Sequence, residues 1–129
     1  MEMSYEQKRM TIDEVQKILD LINLGSCLYT GNPRFRLMRK GDGYLLQFVY
    51  DEADVEFPEK GPVPQHCRKW YVSPFSTETE VVRTAFKAVE ASMAHRLGEH
   101  FTYRGKQIHS PHLDVEALIF IAENQDKRK

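Results

Sequence analysis

A chain of 129 residues is long enough to bury one hydrophobic core and too short for two. With 41% apolar and 29% charged residues it reads as globular, and a formal charge of −1 argues against a general DNA-coating protein. No apolar run approaches the roughly 20 residues that span a bilayer, and the only cysteines, Cys27 and Cys67, show no metal-ligand spacing.

Residues 1–10 are polar, lack the apolar stretch of a signal peptide and read as a tail, so the expected location is the cytoplasm. In that reducing setting both cysteines are read as free thiols, with a single disulfide as the alternative. Thr11 and Glu14 form a capping box for a first helix, in which Val15, Ile18, Leu19 and Ile22 recur at helical spacing before Gly25. Met10 is placed to staple against Val15. Tyr29 to Pro33 is turn chemistry. From Arg34 to Lys40 the pattern alternates, with Arg34 and Arg36 on one face and Phe35 and Leu37 on the other. Gly41-Asp42-Gly43 signals a hairpin into a second strand over 44–51. The acidic piece from Glu52 to Gln65, with Pro58, Pro62 and Pro64, reads as a long exposed loop.

Cys67 to Ser73 is a third strand, and a second capping box, Thr77 with Glu80, opens a long helix. Its apolar stripe comprises Val82, Ala85, Phe86, Val89, Met93 and Leu97, with Phe101 as a continuation. Tyr103-Arg104-Gly105 turns, Lys106 to His109 is a short extended piece, Asp114 to Asn124 is a last helix, and 125–129 is a tail. The expected fold is therefore one α+β domain over 11–124. In it, a small antiparallel sheet of three or four strands packs against an N-terminal, a long central and a C-terminal helix. A thin sheet with open edges beside so long an apolar stripe also predicts a homo-oligomer, a dimer or higher.

Metal and nucleophile chemistry find little support. His95 and Glu99 share a helix face, but His95 and His100 diverge by about 140° at about 100° per residue, and His109 and His112 flank a proline. There is no HExxH, GxSxG, Walker or dinucleotide glycine pattern, so neither a catalytic residue, a metal nor a cofactor is designated. The basic and aromatic residues are the stronger lead. Arg34 and Arg36 offer guanidinium forks to phosphate, Tyr71, Phe75 and Tyr103 offer rings, and Arg83, Arg104 and Lys106 add cations near the same junctions. The strand that ends at Pro74 runs almost directly into the long helix, a corner suited to an anionic ligand with a ring. The competing reading makes the arginines an exposed strand face and Phe75 part of the core.

Arg68-Lys-Trp-Tyr-Val-Ser-Pro-Phe75, Thr77-Glu-Thr-Glu-Val-Val-Arg-Thr-Ala-Phe-Lys-Ala88, Phe101-Thr-Tyr-Arg-Gly105 and Pro111-His-Leu-Asp-Val-Glu-Ala-Leu118 together resemble a family of small bacteriophage proteins, the Thoeris anti-defence sponges of the first type. The resemblance covers roughly residues 66 to 118 and implies a non-enzymatic immune-evasion protein. Such proteins hold a cyclic ADP-ribose-like signal in pockets between subunits, and some relatives also hold cyclic oligonucleotides at separate sites in a higher oligomer; for this chain the expected assembly extends from a dimer up to a hexamer. It implies Phe75 as the ring against adenine and Arg104 and Lys106 as phosphate contacts, with Arg36 less directly supported. The alternatives are a phosphodiesterase or glycohydrolase acting on such a signal, and an accessory nucleic-acid or protein-interaction module.

Overall fold

The computed structural model describes residues 9–24, 30–53, 56–97, 101–108 and 115–124, without the side chains of residues 30 and 92–97. The chain enters through helix α1 (Ile12–Asp20), whose Thr11 hydroxyl accepts from Glu14 N at 3.1 Å while Glu14 Oε1 accepts from Thr11 N at 2.8 Å. This is the reciprocal cap that the sequence predicts. Val15, Ile18 and Leu19 are buried. A two-residue strand β1 (Ile22–Asn23) follows; Gly25, the expected helix stop, lies outside the described residues.

Strands β2 (Thr30–Lys40), β3 (Gly43–Glu52) and β4 (Val63–Val72) form an antiparallel sheet in the order β2-β3-β4. Phe35, Leu37, Tyr44, Leu46, Phe48, Trp70 and Val72 point into the core, so the predicted alternation of Phe35 and Leu37 against Arg34 and Arg36 is the one observed. The turn between β2 and β3 is admitted by Gly41 at φ +59°, a conformation that glycine adopts without a Cβ penalty. Burial holds the phenol of Tyr50 above its ordinary pKa, and the nearby Glu52 carboxylate and Cys67 thiol add to the effect.

Two boundaries differ from expectation. The segment from Glu52 to Gln65 is not one long loop, because β3 runs to Glu52 and β4 starts at Val63. Pro64 fits inside β4 because β4 is an edge strand, where a missing N–H breaks no interior ladder. Likewise the expected turn before Arg34 is largely strand: β2 starts at Thr30, and Asn32 (φ +48°) and Pro33 are absorbed by an irregularity between Gly31 and Arg34.

Helix α2 (Glu78–Leu97) packs on β3, β4 and α1. Val81 and Ala88 are buried together with Val82, Ala85, Phe86 and Val89, a face wider than the predicted stripe because the helix is covered from more than one side. The side chains of Met93 and Leu97 lie outside the description. Thr77 Oγ1 accepts from Glu80 N at 3.2 Å and Glu80 Oε1 from Thr77 N at 2.8 Å, so the second capping box forms as well. Thr77→Ala is expected to lower stability by about 1 kcal/mol, read as a shift in the urea midpoint at unchanged slope.

After α2, the tiny strands β5 (Thr102–Tyr103) and β6 (Lys106–Gln107) join β1 in a second antiparallel sheet, order β1-β5-β6, and helix α3 (Val115–Glu123) packs on α2. The fold is thus α+β as expected, with two small three-stranded sheets where the sequence suggests one. Among the described residues no helix is long and apolar enough to cross a membrane.

Candidate functional site

At the corner where β4 passes into α2, a concavity of about 540 Å³ is lined by Ser73, Phe75, Ser76, Thr77, Glu80 and Arg83, among others. Local chemistry builds the corner. Val72 ends the strand, the Ser73 carbonyl accepts from Ser76 N at 3.1 Å, and its hydroxyl accepts from Phe75 N at 3.1 Å. Held in that turn, Phe75 stands outward, 41% exposed. Arg83 reaches the same hollow from α2, one and a half turns into the helix. The structure therefore brings together two of the residues predicted for a ligand site, Phe75 and Arg83.

A third group, Arg9, was not foreseen. Residues 1–10 were expected to be a tail, but Met10 is buried, its N–H donates to the Pro74 carbonyl at 2.6 Å and its carbonyl accepts from the Tyr44 hydroxyl at 2.6 Å. Those bonds lay the chain along the corner and set the Arg9 guanidinium 5.1 Å from the centre of the Phe75 ring. Arg9 also pairs with Asp42 at 3.7 Å, but both side chains are largely solvated and such a pair is weak. The sequence offered one signal for this, Met10 as the staple of the first capping box; nothing pointed to Phe75. Residues 1–8 lie outside the described residues.

The amino end of α2 is less open to an anion than expected, because the Thr77 and Glu80 N–H groups are taken by the capping box. The Glu80 carboxylate also lines the hollow. Positive charge at the corner consequently comes from Arg83 and Arg9 more than from the helix end.

The other predicted residues lie elsewhere. Tyr103 is fully buried in the core and presents no face for stacking. Arg104, at φ +53° in the β5–β6 turn, points its Nη2 at Glu78 Oε2 (3.5 Å), and Glu78 is fully buried at the first position of α2. Lys106 places its Nζ 4.9 Å from the centre of the Phe120 ring, tying β6 to α3. Arg34 pairs with Asp51 at 3.2 Å and donates to the Asn32 carbonyl at 2.8 Å. Arg36 lies on the outer sheet face, 3.4 Å from both Gln47 Oε1 and His66 Nδ1. A larger hollow of about 600 Å³ between α1, β1 and the start of β2 contains Arg34, but that guanidinium is already committed and Asp20 lines the same space. It carries the weaker case for an anion.

Among the described residues no three His, Cys, Asp or Glu side chains are grouped so that they could hold a metal ion. Glu99, His100, His109 and His112 lie outside them, as does the side chain of His95. Cys67 carries a free thiol, and Cys27 is also outside the description. No protein-family model, curated protein or solved structure matches the chain.

Proposed function

We propose that the protein binds and sequesters a cyclic nucleotide immune signal, a cyclic ADP-ribose isomer or a cyclic oligonucleotide, as a non-enzymatic phage anti-defence protein. The observation that carries the reading is the placement of Phe75 and Arg83 in one hollow of about 540 Å³, beside Arg9. That volume suits a nucleotide-sized ligand. The sequence resemblance supplies the ligand class; the corner supplies a ring for a base and cations for phosphates.

Magnitudes add a second element to the proposal. Two charge-assisted contacts and one stacked ring together reach roughly 4–9 kcal/mol, a Kd of a few tenths of a micromolar at best before ordering costs. A useful sponge needs more, so the corner is completed by a second copy of the chain. The exposed Val115 (66%) and Ile119 (51%), one turn apart on α3, are apolar surface consistent with such a homo-oligomer.

The test is calorimetric titration with cyclic ADP-ribose isomers and a panel of cyclic oligonucleotides, followed by heat release and mass spectrometry. Tight binding with chemically intact recovery is the expected result; a cleaved product would establish an enzyme instead. Phe75→Ala is expected to cut affinity by about 5- to 150-fold through loss of stacking, and Arg83→Ala by a similar factor, both with unchanged circular dichroism. Normal binding by both variants would move the site away from this corner. Sedimentation equilibrium reads the assembly state directly, and a monomer at working concentration overturns the shared pocket.

A further inference from the structure

On the face of the β2-β3-β4 sheet opposite the core, Arg36, Lys40, Lys69 and Tyr71 are exposed and Met38 and Leu45 half-buried, whereas Gln47 and Val49 toward the other end are buried. Register orders the side chains of this face in rows. Arg36, Gln47 and Lys69 form one row; Met38, Leu45 and Tyr71 form the next; Lys40 beside Gly43 forms a third. The sole carboxylate at an outward position of these strands is Asp51, which lies toward the far end and is paired with Arg34. Among the described strand residues the face therefore carries three cations with no carboxylate in their rows, although the whole chain has a formal charge of −1.

Between the cation rows lies an apolar floor with a ring on it. Met38 and Leu45 are half-buried, and Tyr71 is 56% exposed. Any Cβ at Gly43 would collide with the Tyr71 ring, so the ring lies across the strand at that glycine, close to the sheet surface. Rows on one face repeat about every 6.8 Å along a strand, and Arg36 and Lys69, two strands apart, stand about 9.6 Å from each other. A flat ring over an apolar floor, with cations on either side, matches alternating bases and phosphates.

We propose that this face binds single-stranded nucleic acid, with Tyr71 stacking a base and Arg36, Lys69 and Lys40 meeting phosphates. A second copy of the same face is the poorer occupant, because it would bring the three cations against their own kind. The inference stands apart from the nucleotide corner and does not depend on it.

The experiment is fluorescence anisotropy of the full chain with labelled 12-residue oligo(dT) and oligo(dA), at 20 to 200 mM salt. Binding is expected to weaken with a log–log salt slope near −2, as for about three phosphates on a single strand. Tyr71→Ala is expected to lower affinity about 5- to 150-fold without changing that slope, and Tyr71→Phe to restore it. Arg36→Gln with Lys69→Gln is expected to flatten the slope, whereas Phe75→Ala leaves oligonucleotide binding unchanged. Absence of binding at 20 mM salt overturns the proposal, as does binding that survives the Arg36 and Lys69 changes. Equal loss on Phe75→Ala would place the oligonucleotide at the corner instead. Vesicles containing phosphatidylserine are the comparison: variant-sensitive binding to them without binding to either oligonucleotide would make the face a lipid-headgroup surface.

Discussion

Arg104→Ala is expected to destabilise the fold, toward the lower end of roughly 3–5 kcal/mol, rather than simply to weaken a ligand. Arg104 was anticipated as a phosphate contact, but its guanidinium is 3.5 Å from a carboxylate of Glu78 that has no solvent exposure. Removing it withdraws the cation from beside a buried charge, and the lower end applies because the arginine side chain itself retains 20% exposure. A second effect opposes the first. Arg104 sits at φ +53°, where a residue with a Cβ is strained by about 1–2 kcal/mol, and Gly105 follows at φ +83° in the pattern of a two-residue hairpin turn. Arg104→Gly relieves that strain while losing the same ion pair, so it should be less destabilised than Arg104→Ala by about 1 kcal/mol. Urea denaturation of the two variants, with Glu78→Gln alone and combined with Arg104→Ala, separates the terms. The double variant should recover part of the loss; strict additivity would show that the two side chains do not interact.

That pair also marks the limit of what could be read before the structure. Both helix caps, the hairpin at Gly41, the alternation through Arg34 to Leu37 and the α+β class were legible, because each is a local pattern with a local cause. Pro64 misled, since a proline stops a central strand but not an edge strand, and edge position is decided by topology. The candidate site was legible only in part. Phe75 and Arg83 are close in sequence and join by local geometry, whereas Arg9 is brought to the corner by the hydrogen bonds of its neighbour Met10 with Pro74 and Tyr44, far along the chain. Tyr103 and Arg104 share the reverse problem. Their residue types advertise binding, and only burial and partners show that they are occupied with holding β5, β6 and α2 together. The chemistry that recognises a phosphate is also the chemistry that anchors a buried carboxylate, and a sequence does not distinguish the two uses.

Phe101→Ala is expected to be at least as damaging, at roughly 3–5 kcal/mol, and the reason reaches beyond lost apolar area. Phe101 is fully buried and meets Phe86 edge to face, ring centres 5.0 Å apart and planes at 73°. Its carbonyl accepts from Ile108 N at 2.9 Å, so the same residue also closes the β5–β6 hairpin. Alanine keeps that backbone bond but leaves a void between α2 and the second sheet, and strands of two residues have little ladder of their own with which to hold position. The hairpin carries Arg104 and Lys106, and through them the contacts to Glu78 and to the Phe120 ring on α3. The loss should therefore appear as a lower denaturation midpoint together with faster hydrogen exchange at Thr102 to Ile108, ahead of the β2-β3-β4 sheet. Phe101→Leu fills most of the space and should restore the larger part of the stability. If the hairpin exchanged no faster than the large sheet in Phe101→Ala, the second sheet would be held independently of this ring pair, and the coupling argued from Phe86 through Phe101 to Arg104 would fail.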